Sequence, residues 1–279
     1  MDRAGKAHWD ASWSGAPVPA PIDPESSALA KNVERTLGRL FDELFREAGA
    51  RHMRLLEVGC ARSAILPFFA RRYGFVVAGL DYSEPGCELA RLALERAGVS
   101  GEIHHGDMYA PPPELIERFD AVFSFGLVEH FEDTTRCVSA LARFAKPGGV
   151  LLTIIPNMTG LLGTAQRILN ESVYRIHVPL DREALRHSHV QAGLSVTRCE
   201  YLMSVNFGVI NLQGVSLKTP VGLLKRMVTS ALARSSYVVW AIERLFGREF
   251  PAVKAFSPYI YCVGTKPANS RASAVAGSP

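Results

Sequence analysis

From residue 53 onward the chain alternates short apolar runs with amphipathic stretches, and this rhythm constrains its fold more than any other feature. The runs are MRLLEV (53–58), VVAGL (76–80), GEIHH (101–105), AVFSF (121–125) and VLLTII (150–155). Between them lie helical patterns such as 85–97 and 134–144. Runs of this length, too continuous to face water on one side, belong in a parallel sheet whose helices cover both faces. After Pro156 the rhythm loosens. A helix is then predicted with Asp181 as its cap, stopping before Gly193 and leading into LSVTRCEYL (194–202) as a sixth strand. A seventh strand, PYIYCVGTK (258–266), follows only after some fifty further residues, so 203–257 is an insertion before the last strand. Residues 14–26 are rich in proline, serine and alanine and precede a helical pattern over about 27–48. The expected organisation is an N-terminal lid and helix (1–50), an α/β domain with a doubly wound, mostly parallel seven-stranded sheet (51–266), and a disordered tail (267–279).

Composition narrows the function classes. The 279 residues are 48% hydrophobic, enough for a substantial core, and carry 31 basic against 27 acidic side chains. A formal charge of +4 gives no field suited to nucleic acid. Cys60, Cys87, Cys137, Cys199 and Cys262 stand singly, without the spacing of a zinc site or a disulfide framework, so no metal is expected and a reducing cytoplasm is. The opening MDRAGKAHWDASWSG has no apolar leader region, and no run reaches the roughly 18 apolar residues of a membrane span.

Chemistry-bearing residues gather where the apolar runs end. The first run enters EVGCARS, a tight turn whose Gly59 leaves room for a ligand. About twenty residues later the second ends in GLDYSE, placing Asp81 where a carboxylate can accept hydrogen bonds from ribose hydroxyls. Together they suggest an adenosine-containing ligand, although a structural turn and a solvated aspartate would leave the same trace. The third run ends in HHGDMY, with Asp107 placed to accept from an adenine amino group and Met108 to cover the ring. FDAVFSFGLVEHF and LARFAKPGGVLLTIIPN follow. Asp120 and the Lys-Pro-Gly-Gly turn support the fold more than the chemistry.

With these motifs in order, the chain resembles class I S-adenosylmethionine-dependent methyltransferases, in particular the small-molecule branch that includes ubiquinone-biosynthesis-type enzymes. The resemblance covers about 53–157, and 175–202 less specifically. It implies a Rossmann-like sheet whose seventh strand lies between the fifth and sixth. It places Glu57, Gly59 and Cys60 beside the methionine part of the cofactor, Asp81 and Tyr82 at the ribose and adenine, and Asp107 with Met108 at the base. Ser124 and Phe125 would open towards the sulfonium. The family pattern Glu-x-Gly-x-Gly-x-Gly is altered here, since Ala61 and Ser63 replace its second and third glycines. Arg62, inside that turn, is expected to reach the cofactor carboxylate. Related enzymes often use an N-terminal helix as a lid, so HWDASW is expected to close over the cofactor, with Trp13 as its contact. Glu129 and His130 fall where the acceptor meets the methyl group, and His177 precedes a substrate-side helix.

Methyl transfer from a sulfonium is an in-line displacement from an activated donor, so positioning and exclusion of water dominate. A hydroxyl or ammonium acceptor needs a base, for which His130 is the first candidate and His177 the second. His187 and His189 share the predicted helix after Asp181 and face solvent or sheet; His104 and His105 alternate across a strand. The insertion is expected to bury its apolar faces as a cap over the acceptor, which implies a lipophilic or aromatic small molecule that takes the methyl group on an O, N or C atom. A core or dimer helix competes with that reading, leaving monomer or homodimer open. So does attachment to a membrane surface through Lys225, Arg226, Arg234 and Arg244. Three rival functions remain: cyclopropane-forming methylene transfer, whose enzymes also read Gly-x-x-Glu-His-Phe, a non-catalytic cofactor-binding protein, and an NAD-dependent oxidoreductase.

Overall fold

The computed structural model describes residues 2–46 and 52–268. Its seven strands are β1 (Arg54–Val58), β2 (Val76–Asp81), β3 (Gly101–His105), β4 (Phe119–Phe125), β5 (Ala145–Pro156), β6 (Ser195–Leu202) and β7 (Tyr259–Thr265). They form one sheet in the order β3-β2-β1-β4-β5-β7-β6. The first five are parallel, whereas β7 runs antiparallel to both β5 and β6. That reversed strand separates the architecture from the dinucleotide-binding sheet of oxidoreductases. Outside the sheet lie α1 (Lys6–Trp13), α2 (Asn32–Phe45), α3 (Leu66–Tyr73), α4 (Glu84–Arg96), α5 (Thr134–Ala142), α6 (Leu161–Leu169), α7 (Glu171–Arg175), α8 (Arg182–Gln191) and α9 (Pro220–Phe246).

Alternation along the strands sends successive side chains into two cores. On one face Leu55, Val77, Ala121 and Phe123 pack with Leu37, Phe41 and Phe45 of α2 and Phe69 of α3. Phe41, Phe69 and Phe123 meet with ring centroids 4.7 to 5.7 Å apart. On the other face Leu56, Val58, Val122 and Leu151 pack with Val138 and Leu141 of α5 and Leu185 of α8. Four helices begin where the sequence supplies a side-chain acceptor: Ser83 caps α4, Asp133 caps α5, Asp181 caps α8 and Thr219 caps α9. The lower rim is tied by Asp120, whose carboxylate accepts from the Arg54 backbone N–H and from Lys146 Nζ, each at 2.8 Å. Asp120 and the Lys of Lys-Pro-Gly-Gly therefore join β1, β4 and β5.

The insertion departs from expectation. Trp240 of α9 is buried and its indole donates to the Val205 carbonyl at 2.9 Å, and Ser236 Oγ accepts from the Phe207 N–H. Leu232 joins a small cluster with Leu162 and Leu169 of α6 and with Ile210. This anchors one stripe of a 27-residue helix and leaves much of its apolar surface open, with Leu224, Met227, Val238, Leu245 and Phe246 each at least 60% exposed. No helix among the described residues is long and apolar enough to cross a membrane. The helical pattern expected over 27–48 is realised as Asn32–Phe45 after a single 3-10 turn, and its last residues, like the tail from 269, lie outside the described residues.

Of the two histidines on α8, His187 is exposed and His189 is completely buried. His189 Nδ1 donates to the Leu185 carbonyl at 2.9 Å, so its Nε2 accepts from Thr153 Oγ1 of β5 at 3.0 Å. Burial lowers its pKa to about 4. A histidine with a depressed folded pKa binds fewer protons folded than unfolded, so its contribution is intact above its unfolded pKa and is lost as pH falls from there towards 4. Between pH 7.5 and 4.5 the native protein should lose about 2–3 kcal/mol more than His189→Gln. Urea unfolding of both proteins across that range measures the difference, and parallel pH profiles would contradict it.

Candidate active site

The site forms above the carboxyl ends of β1 to β4, where an open parallel sheet presents strand termini and helix beginnings together. At the end of β1, Gly59 takes φ +77°, and a Cβ there would lie 3.2 Å from Leu127 Cδ1. Its N–H donates to the Leu80 carbonyl, drawing the turn against β2. Asp81 closes the same turn: one oxygen accepts from the Ala61 N–H at 2.9 Å and the other from the Ser83 N–H at 2.8 Å. Burial raises its carboxyl pKa, and these backbone donors oppose the rise. The departures from the glycine pattern have structural answers. Ser63 Oγ donates to Glu57 Oε2 at 2.5 Å and accepts from the N–H groups of Ile65 and Leu66, thereby starting α3. Gly86 of α4 lets Ala61 approach, since a Cβ at Gly86 would stand 2.5 Å from that of Ala61.

A cavity of about 590 Å³ lies over this edge, in the size range of small-molecule sites. Among the sequence-derived candidates, Trp13, Gly59, Asp81, Tyr82, Asp107, Met108, Phe125 and His130 line it. Six others do not. Cys60 is fully buried and points towards Gly79, on the side of the sheet occupied by α3, so it packs into the core. Arg62 turns outward at φ +55° and donates to the Pro17 carbonyl, holding the N-terminal loop instead of reaching for a cofactor carboxylate. Glu57 is engaged by Ser63, and burial pushes its pKa up to about 8. Ser124 follows the strand alternation opposite to Phe125 and is buried. Glu129 and His177 sit behind His130. No residue of 203–257 lines the cavity, which corrects the expected substrate cap. That insertion leaves the sheet from β6, at the end opposite β1 to β3, and its helix α9 packs on α6 and on its own 205–210 stretch.

The N-terminal segment covers the cavity more fully than its sequence discloses. Trp9 and Trp13 are stacked at 6.0 Å, and Trp9 meets His130 edge-on at 4.9 Å. Asp2 accepts from the Trp9 indole and from the Tyr82 hydroxyl, and pairs with Phe131 in an isolated bridge. Arg3 donates through its backbone to the His130 carbonyl and through Nη1 to the His177 carbonyl, both at 2.9 Å. Asp2, Trp9, Tyr109, Leu127 and Arg136 are wall residues that the sequence reading did not place at the cofactor. Trp9 was legible through its spacing from Trp13 in HWDASW; Asp2 and Arg136 carried no local signal.

Beyond β4 a 3-10 turn, Val128–His130, presents Glu129 and His130. His130 Nδ1 donates to the Ile176 carbonyl at 2.9 Å, and the His130 and His177 rings lie 4.5 Å apart. Burial lowers the pKa of His130 to about 4, with His177 adding to the effect, and burial lowers that of His177 as well. Both are neutral at physiological pH. Glu129, fully buried, is pushed up to about 8 by the same cause.

Comparison with known proteins agrees with this geometry. Residues 56–153 match the family model described as a methyltransferase domain. A ubiquinone biosynthesis O-methyltransferase of Aromatoleum aromaticum is 32% identical over 108 residues, 39% of this chain and 46% of that protein. Its namesake from Hahella chejuensis is 35% identical over 98 residues, 35% of this chain and 41% of that protein. The matched stretch thus spans less than half the length of these relatives. Among solved structures, the [4+2]-cyclase SpnF aligns with a TM-score of 0.60 at 16% identity, covering 96% of this chain and 97% of that one. A geranyl diphosphate C-methyltransferase of Streptomyces coelicolor, bound to S-adenosylhomocysteine, aligns with a TM-score of 0.57 at 12% identity, covering 94% and 97%. A cyclase and a methyltransferase on one fold show that the fold alone does not set the reaction. From sheet order, strand-end motifs and the family match together, residues 56–153 are a class I methyltransferase domain, the family whose methyl donor is S-adenosylmethionine.

Proposed function

We propose that this protein transfers a methyl group from S-adenosylmethionine to an oxygen of a small aromatic or lipophilic acceptor. The observation that carries this reading is the single cavity wall shared by Asp81, Asp107 and His130, at the ends of β2 and β3 and beyond β4 respectively. The residues present fit the cofactor. Asp81, fixed by two backbone donors, keeps lone pairs for ribose hydroxyls, Met108 and Tyr82 offer apolar faces to a base, and Gly59 leaves the room a side chain would fill. When bound, the cofactor supplies an already activated methyl group. The chain then has to orient the acceptor and exclude water, tasks suited to the stacked Trp9 and Trp13 and to the apolar Leu127 and Phe131. His130 would take the acceptor's proton on Nε2, because its Nδ1 hydrogen is committed to Ile176. Transfer to oxygen is supported by the names of the curated relatives. A lipophilic acceptor is supported by the largely apolar wall, and contact with a lipid surface by the open face of α9 beside Lys225, Arg226 and Arg234.

Three outcomes test the reading. Asp81→Ala should weaken binding of S-adenosylhomocysteine by roughly 1.5–3 kcal/mol in calorimetry, as the ribose loses a charged acceptor and the Ala61 and Ser83 N–H groups lose theirs. Unchanged affinity would remove Asp81 from the site. Adding S-adenosylhomocysteine should alter the emission of Trp9 and Trp13 and leave Trp240, remote on α9, silent. A response that survives Trp9→Phe combined with Trp13→Phe would count against a closing lid. With an acceptor in hand, His130→Ala should lower turnover about 10²- to 10⁴-fold while sparing cofactor affinity; turnover preserved within about twofold would place the base elsewhere.

A further inference from the structure

Three groups with nitrogen or oxygen lone pairs converge behind the cavity wall, and among the described residues no hydrogen bond joins them. A carbonyl oxygen only accepts, so His130 Nδ1, 2.9 Å from the Ile176 carbonyl, carries its ring hydrogen, and so does His177 Nδ1, 2.7 Å from the Val173 carbonyl. Each imidazole therefore presents a bare lone pair on Nε2. Facing them is Glu129, 1% exposed, both of whose carboxyl oxygens lack a hydrogen-bond partner among the described residues. Its Oε1 lies 3.8 Å from His130 Nε2, too far for a hydrogen bond. One donor atom from each of Glu129, His130 and His177 falls within 4.8 Å of the others. Such an arrangement is costly unless an electrophile sits between the three.

We propose that Glu129, His130 and His177 bind one divalent transition-metal ion of the zinc type, with an open coordination position towards the cavity. Two imidazoles and one carboxylate are the donor set of open zinc sites, whose remaining position takes water or a substrate oxygen. Calcium and magnesium, which demand more oxygen ligands, suit it poorly. The outer contacts also match a metal site, in which each ligating histidine anchors its second nitrogen to a carbonyl or carboxylate. The scaffold is held from two sides: the Val178 N–H donates to the Glu129 carbonyl at 2.6 Å, and Arg3 grips the carbonyls of His130 and His177. Of the three ligands His130 alone lines the cavity, which gives the direction in which the open position lies.

An ion held on His130 Nε2 takes the lone pair that serves as the base in the metal-free chain, so the two roles exclude each other; the test needs neither acceptor nor cofactor and is read apart from methyl transfer. The full chain, freed of any purification tag and stripped by a chelator, is titrated with Co²⁺ and followed by visible absorption, then with Zn²⁺ against a colorimetric chelator. About one equivalent of either ion should bind per chain, and cobalt should give the strong band of a low-coordinate site. Glu129→Gln and His177→Gln should abolish the band and the stoichiometric uptake while retaining the native circular dichroism spectrum. His187→Ala, on the exposed face of α8, should change neither. If one of the Gln variants fails to fold, His130→Ala supplies the same reading from the cavity side. Uptake far below one equivalent in the native chain would overturn the proposal, as would uptake undiminished in the folded variants. A Glu129→Gln protein more heat-stable than the native one, with no metal bound by either, would show that a proton occupies the cluster.

Discussion

The double acceptance by Asp81 is the contact on which the site's geometry depends. One carboxylate takes the N–H of Ala61 from the turn after β1 and that of Ser83 from the start of α4. A side chain at the end of one strand thereby sets the position of the neighbouring strand's exit loop. The turn cannot drift from the sheet without uncovering a buried charge, whose cost exceeds that of an ordinary lost hydrogen bond. This explains how a turn with two of its family glycines replaced keeps its shape. Ser63 recovers through its hydroxyl, bonded to Glu57 and to the first amides of α3, what a glycine would have supplied through backbone freedom. Arg62 absorbs the left-handed conformation at φ +55°.

The part of the fold that the sequence disclosed is the part governed by periodicity. Strand runs around Leu55, Val77, Ala121 and Leu151 alternate with helices because both faces of a parallel sheet are covered, and that pattern needs no tertiary information to be read. Asp81 and Asp107 were legible for a related reason, since one directly follows and the other lies two residues past a run whose end is visible. The misplaced residues fail by direction. Cys60, Arg62 and Ser124 sit at the right positions along the chain but on the wrong side of it, and a shift of one residue along a strand or turn reverses the face presented. Glu129 and His177 were associated with His130 by resemblance; that they share one buried cluster depends on α7 ending beside the 3-10 turn, a tertiary fact with no local mark.

The insertion teaches a different lesson. Its apolar density reads as a demand for burial, yet α9 satisfies only one stripe of itself, through Trp240, Ser236 and Leu232. Composition reports that a helix has apolar surface and is silent on which copy, ligand or surface will cover it. The cavity owes its cover to the far less hydrophobic N-terminal segment, where the two tryptophans of α1 and Asp2 ahead of it accomplish what the long helix was expected to do.

The two halves of the site accordingly differ in how they are held. Asp81 and Phe125 sit in the parallel ladder of a seven-stranded sheet, and Gly59 is tied to its edge by the bond from its N–H to the Leu80 carbonyl. His130 is held instead from outside the sheet, by Ile176, by the Arg3 backbone and by the edge of the Trp9 ring. Two of those three contacts come from the segment that also closes the cavity, so opening α1 removes support from His130 at the same time as it admits a ligand. Access and acceptor-side geometry are thereby coupled, and a complete arrangement exists only when the N-terminal segment is closed.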